Sequence, residues 1–361
     1  MERIKKSGDI FFAYSDEPWV LSGAAVHISF VGQDDGSEIE RTLNGHRVPE
    51  VNANLTVGID LTKARRLSEN LGIAYQGPVK AGSFEVDDAT ARWMVAAPNP
   101  DRRSNSDVIR PWANGLDITR RPRGMWIIDF GEMPMSEATL YEVPFEHVKR
   151  HVMPMRLRGR RASRAERWWL HGETVPALRR AIHGLNRYIC TTRVAKHRIF
   201  AWVATPTLPD SRLVVFARED DYSFGVLQSR IHEAWARATG SQLREVESGF
   251  AYTPTTTFET FPFPRPTDEQ REAIAAAARE LVRLRDGWLD PPGLDPAALA
   301  ARTMTNLCNE RPTWLANAHD AVDDAVLGAY GWPADLADSE ILARLLELNL
   351  EREPAPQKGT S

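Results

Sequence analysis

Gly249-Phe-Ala-Tyr-Thr-Pro-Thr-Thr-Thr-Phe-Glu-Thr-Phe-Pro-Phe263 is the stretch from which the rest of the chain is read. Tyr252 and a run of threonines stand at its head, and an aromatic-proline exit, Phe261-Pro-Phe-Pro-Arg-Pro266, closes it. Such an exit is an extended connector, because each proline pushes the residue before it out of the helical region. Thr267-Asp-Glu-Gln then has the pattern of a capping box, and Ile274, Ala277, Ala278, Leu281 and Trp288 recur at helical spacing. The stretch therefore divides a mixed α/β body from an all-helical module. About fifty residues upstream lies Arg193-Val-Ala-Lys-His-Arg-Ile-Phe200. Hydroxyls, basic side chains and rings together suit phosphate oxygens and base edges.

Working outward, the expected class is α+β. Residues 1–48 read as a terminal β-hairpin, since Val26, Ile28 and Phe30 alternate with His27 and Ser29. A lone hairpin is marginal in water, so this one looks like the last piece of a larger sheet. Residues 49–265 read as one mixed α/β body. Within it, Trp126-Ile-Ile-Asp-Phe-Gly and Leu213-Val-Val-Phe-Ala are strands, residues 136–151 and 163–183 are mostly helical, and Tyr222–Ala238 is one helix with an apolar stripe. Residues 266–352 form the helical module, and 353–361 a disordered tail.

The 361 residues carry a net charge of −4, unevenly distributed. Between His151 and Phe200, eleven Arg and one Lys stand against Glu166 and Glu173, a balance of +10. From Pro266 onward nine basic residues face seventeen acidic ones, a balance of −8. Trp168, Trp169 and Tyr188 interleave with the basic run, which favours a nucleic-acid face over a merely solvated one. No apolar run approaches the roughly 20 residues of a bilayer span. Cys190 and Cys308 have no metal-site spacing and read as reduced thiols of a cytoplasmic protein.

Catalytic signatures are missing from the sequence. No Gly-x-Gly follows a strand, so no dinucleotide or adenosylmethionine loop is expected. His147 and His151 are spaced i, i+4 but lack the Glu of a zinc hydrolase, and Lys149 and Arg150 would repel a cation; no metal site is expected. Asp290-Pro-Pro-Gly reads as a turn, and no Gly-x-Ser-x-Gly elbow occurs.

Several runs resemble one family, the MmeI-like adenine-specific DNA methyltransferases of single-chain type II restriction-modification systems. They are Gly8-Asp-Ile-Phe-Phe-Ala-Tyr-Ser-Asp-Glu-Pro-Trp19, Asn105-Ser-Asp-Val-Ile-Arg-Pro-Trp-Ala-Asn-Gly-Leu-Asp-Ile-Thr-Arg-Arg-Pro122, Arg193–Arg198, Tyr252–Pro264, Asn306-Leu-Cys-Asn-Glu-Arg-Pro-Thr-Trp-Leu315 and Ala329-Tyr-Gly-Trp-Pro333. The resemblance implies that the hairpin closes a methyltransferase sheet, that 49–265 is a target recognition domain, and that 266–352 is the helical C-terminal domain. It implies S-adenosylmethionine and adenine-N6 methylation for the intact enzyme. The family's cofactor loop and Asn-Pro-Pro-aromatic motif lie upstream of the Gly-Asp-Ile-Phe-Phe run, so no catalytic or cofactor-binding residue is expected on this chain. The expected function is the DNA-specificity portion of such an enzyme, with double-stranded DNA and an upstream methyltransferase polypeptide as partners. The alternative is a non-catalytic remnant that docks on protein or DNA.

Arg187, Arg193, Lys196, His197 and Arg198 are the candidates for phosphate contact. Ser229, Arg230, His232, Arg244, Tyr252, Thr255 and Thr256 are the candidates for reading bases. An ordinary amphipathic helix competes for Ser229 to Trp235, and a self-satisfying turn competes for the threonines.

Overall fold

The computed structural model describes residues 2–21, 24–242 and 249–354. They divide into two units, one formed by the chain up to Arg65 with Ala337–Glu353, the other by Arg66–Leu336 with Pro354.

In the first unit the strands Asp9–Leu21 and Ala24–Asp34 form a long antiparallel ribbon, with Ala13 opposite Val31 and Trp19 opposite Val26. The ribbon has sheet neighbours downstream, within the same first 48 residues. Arg41–Leu43 pairs parallel to the first strand and antiparallel to His46–Val48. The turn between these two short strands is Asn44-Gly45, both residues at positive φ, the geometry a two-residue hairpin loop demands. Ile10, Ala13, Leu43 and Val51 make the small core. The helix Asp338–Glu351 buries Ile341, Leu345 and Asn349 at i, i+4 and i+8. Asn349 holds the backbone of Arg65 at both ends, accepting from its N–H at 2.8 Å and donating to its carbonyl at 2.7 Å.

The second unit is built on a four-stranded antiparallel sheet ordered Phe200–Ala204, Arg187–Thr192, Leu213–Phe216, Ala74–Gln76. Its central strands are covered on both faces. Tyr188 and Cys190 turn to a core with Leu178, Leu213 and Val215. Ile189, Val214 and Phe216 turn to another core with Phe224, Phe250, Tyr252 and Phe258. That is why Leu213-Val-Val-Phe reads as an unbroken apolar run rather than an alternating one. A second sheet, ordered Leu208–Pro209, Ile109–Ala113, Trp126–Ile128, Glu85–Val86, carries a third core with Phe84, Phe145, Trp168 and Trp169.

The single helix expected over Tyr222–Ala238 is two, Asp221–Gln228 and Arg230–Thr239. Ser229 lies between them in extended backbone, and its hydroxyl caps the second helix at the His232 N–H. The first of these helices is buried along its length because Gly225 admits the long helix Asp268–Leu289, where any Cβ would meet Ile274 at 2.6 Å. The capping box at Thr267 and Gln270 forms as the sequence predicts. This helix packs Ala278 into the same core as Phe224 and Tyr252, so it shares the core of the α/β body. Helix Thr313–Tyr330 ends at Gly331, φ +69, with the Trp332 N–H returning to the Leu327 carbonyl.

Replacing Asn349 by Ala removes two part-buried hydrogen bonds to the Arg65 backbone, each contributing about 0.5–1.5 kcal/mol. Urea denaturation should show the first unit destabilised by about 1–3 kcal/mol, and an unchanged midpoint would contradict the clamp.

Candidate nucleic-acid interface

The site is assembled where the strand Arg187–Thr192 leaves the main sheet. At Arg193 the chain keeps one partner from that sheet, its N–H donating to the Arg212 carbonyl at 2.8 Å. Its own carbonyl accepts from the Tyr252 N–H at 2.7 Å. Val194–Ala195 then pairs with Phe250–Ala251 in a small three-stranded sheet that also takes in Ser241–Gln242. Gly249 is required at this crossing: its φ is +85, and a Cβ would lie 1.9 Å from the Ala195 carbonyl oxygen. The two stretches singled out in the sequence are thus backbone neighbours.

Their side chains divide sharply between surface and interior. Arg193 is exposed, and its guanidinium has no partner among the described residues. Arg212, brought beside it by strand pairing, is 75% exposed at its side chain, with Asp210 at 3.9 Å. Lys196 is exposed and donates to Asn309 at 3.3 Å; the His197 ring shares the same oxygen at 2.8 Å. Thr255 and Thr256 are exposed on a π-helical turn, Pro254–Phe258. The neighbouring Thr257 and Thr260 are buried and return their hydroxyls to the carbonyls of Thr253 and Thr256.

Six of the residues expected at the interface hold the fold together. Arg198 is 5% exposed; its guanidinium donates to Thr191 Oγ1 at 3.2 Å, to the Phe250 carbonyl at 3.1 Å and to the Thr192 carbonyl, lying over the Phe250 ring. Burial pulls its pKa down to about 10, which leaves it charged at neutral pH. Arg187 stacks on Trp202 at 3.7 Å and pairs with Asp221 at 2.8 Å. Ser229 is a buried helix cap. His232 and Tyr252 are fully buried, the phenol lying 3.0 Å from His232 Nε2 while Nδ1 lies 2.9 Å from the Leu227 carbonyl. Burial pushes His232 down to about 3 and the Tyr252 phenol up. The neutral ring donates from Nδ1 and accepts from tyrosine, an arrangement that satisfies both groups without solvent. Arg230 ties its helix to the rest of the unit, with its N–H on Asp323 at 2.7 Å and its guanidinium on the Leu336 carbonyl. Arg244 lies outside the described residues.

The basic run is also less superficial than its sequence implies. Arg156 is buried and donates to the carbonyls of Lys80, Ala81 and Leu170. Arg179 grips the buried Asp129 through both terminal nitrogens. Trp168, Trp169 and Tyr188 belong to the cores rather than the surface. Arg158, Arg160, Arg161, Arg167 and Arg180 remain exposed. Among the described residues no group of three or more His, Cys, Asp or Glu is placed to hold a metal ion, and no helix is long and apolar enough to cross a membrane. Asp290-Pro-Pro-Gly is a turn, with Gly293 at φ +81 and Arg121 on the Asp290 carboxylate.

The family described as MmeI, target recognition domain, matches residues 189–265, so the chain carries a target recognition domain of that type. DNA methyltransferase A of Bacillus subtilis (strain 168) is 26% identical over 147 residues, 40% of this chain and 15% of that protein. The solved structure of the type IIL restriction-modification enzyme MmeI in complex with DNA superposes with a TM-score of 0.73 at 19% identity, over 96% of this chain and 46% of that one. The chain therefore has the fold of that part of MmeI and spans less than half of either relative.

His319 gives a pH signature to the helical side of this region. Its Nε2 accepts from the buried Arg285 guanidinium at 3.1 Å, which a protonated ring could not do. Burial, with Arg285 and Arg311 nearby, pushes its pKa down to about 3. The unfolded chain thus binds a proton that the folded one refuses, and the stability this group contributes, full above about pH 6.5, is lost as pH falls toward 3. His319→Gln keeps an acceptor but takes no proton. Relative to the parent chain its unfolding free energy should improve by up to about 1.4 kcal/mol per pH unit below 6.5. Equal differences at pH 7.5 and 5.5 would show that His319 is not held neutral.

Proposed function

We propose that this chain is the DNA-gripping and sequence-specificity portion of a cytoplasmic, adenosylmethionine-dependent adenine-N6 DNA methyltransferase of a restriction-modification system. The observation that carries the reading is the exposed Arg193–Arg212 pair inside the matched recognition domain. Two exposed arginines set opposite each other by a backbone hydrogen bond, one with no side-chain partner among the described residues, are suited to phosphate oxygens. Such contacts set affinity and register, while base edges supply the specificity. Thr255 and Thr256 offer hydroxyls on the adjoining turn, and Lys196 continues the cationic line along the strand.

The methyl donor belongs to the intact enzyme. Among the described residues, strand pairing is antiparallel apart from two short parallel contacts, at Arg41–Leu43 and at Leu208–Pro209. Neither pair delivers a glycine-rich loop to the start of a helix, the cradle that such a cofactor needs. The described residues do not fit adenosylmethionine.

Titrating a labelled duplex across a potassium chloride series tests the reading. Arg193→Ala and Arg212→Ala should each weaken binding and flatten the slope of log K against log salt by about 0.9 per phosphate lost. A double variant with the parental slope would reject it. The exposed apolar end of the ribbon, with Trp19 48%, Val20 72% and Leu21 63% exposed, favours a protein contact for the first unit. Mixed with an upstream methyltransferase polypeptide and labelled adenosylmethionine, the chain should support methyl transfer to duplex DNA that neither piece performs alone. Transfer by this chain without the partner would overturn that assignment.

A further inference from the structure

A cleft of about 280 Å³ opens beside Lys196, between the short helix Gly115–Thr119, the segment Thr192–His197 and the helix Met304–Glu310. Arg120, Lys196, His197, Thr119, Thr192 and Thr305 are among its lining residues, and no carboxylate residue is. Arg120 is exposed and has no side-chain partner among the described residues. Lys196 spends one N–H on Asn309 and keeps two. Thr192 is 4% exposed, and its hydroxyl is buried with no partner. A buried hydroxyl left unsatisfied is costly, and native structures rarely leave one without a ligand or water. Thr305 donates to the Thr119 carbonyl at 2.9 Å, pinning one wall of the cleft to the other.

We propose that this cleft seats a backbone phosphate of duplex DNA, with Arg120 and Lys196 neutralising it and the Thr192 hydroxyl donating to it. The proposal rests on the DNA-binding reading above and extends it to three residues that no single run of sequence brings together. Two cations and an idle hydroxyl, without a competing acid, define an anion site. Continuity defines the source of the anion. Arg193 lies three residues from Lys196 across the short strand Val194–Ala195, a backbone span of at most roughly 10 Å at about 3.3 Å per residue. The cations therefore follow a line, as a polymer of phosphates requires, and are not gathered around one small ion.

The full chain is titrated with duplexes of several sequences across a salt series, each variant first checked for an unchanged melting profile. Arg120→Gln should weaken binding to every duplex alike and reduce the salt slope by about 0.9. Lys196→Gln should do the same. Thr192→Val removes only the hydroxyl, so affinity should fall severalfold at fixed salt with the slope retained. Parental affinity and slope in Arg120→Gln, while Arg193→Ala still weakens binding, would overturn the cleft and leave the DNA reading standing. A parent chain that binds no duplex would remove both. If inorganic phosphate raises the melting temperature of the parent but not of Arg120→Gln, and DNA binding is the same in both, the site takes a small phosphorylated ligand and the DNA assignment falls.

Discussion

The buried guanidinium of Arg198 is the constraint on which the candidate interface depends. It lies where the central strand Arg187–Thr192, the returning strand Phe200–Ala204 and the short strand Phe250–Ala251 converge, and it serves acceptors on Thr191, Thr192 and Phe250. Carbonyls at the end of a sheet have exhausted their ladder partners, and a buried one left bare costs about 1–3 kcal/mol. A planar fork reaches several such acceptors at once, which a lysine ammonium on its flexible stem cannot reproduce. Arg198, one of the candidates for phosphate contact, is therefore what holds the backbone from which Arg193 and Lys196 project.

A second buried arginine performs the same task further down the chain. Arg285 of the long helix donates to Gln228 at 3.1 Å and to His319 at 3.1 Å, joining three helices through polar groups inside an apolar packing. Gln228 in turn donates to the Arg198 carbonyl at 3.3 Å and accepts from the Phe200 N–H at 3.1 Å. The polar chain runs from the recognition sheet into the acidic helical module. With Asn309 reaching Lys196 and His197, it explains why the runs Arg193–Arg198 and Asn306–Leu315, more than a hundred residues apart, behave as one surface.

Much of the architecture was legible in the sequence. Periodicity gave the long helix from Asp268, its capping box, and the strands at Trp126 and Leu213, because these features are local. The break at Ser229 was missed because a serine inside an apolar-periodic stretch reads equally as helix interior or as cap. The division by composition at Pro266 marked a true connector, but not a separate core, since Gly225 allows helix Asp268–Leu289 to dock directly on Phe224. The site was legible only in outline. His232, Tyr252 and Arg198 have the chemistry of recognition and the burial of a core, and sequence records only the chemistry. Arg212 and Arg120 were invisible for the opposite reason: their neighbours are set by strand pairing and loop return.

The uneven charge of the chain takes on a different meaning once the arginines are placed. Arg156, Arg179 and Arg198 spend their charge on carbonyls and on Asp129, so the +10 of the basic run is not +10 at the surface. Arg158, Arg160, Arg161, Arg167 and Arg180 remain outward, and Arg193 and Lys196 project beside Arg212, with Lys196 held by Asn309. The acidic helical module, joined to the same core, keeps the net charge near zero and so limits long-range attraction to any polyanion. Binding that depends on a few local cations rather than on bulk charge leaves base contacts a larger share of the total, which is the balance that a domain selecting one DNA sequence requires.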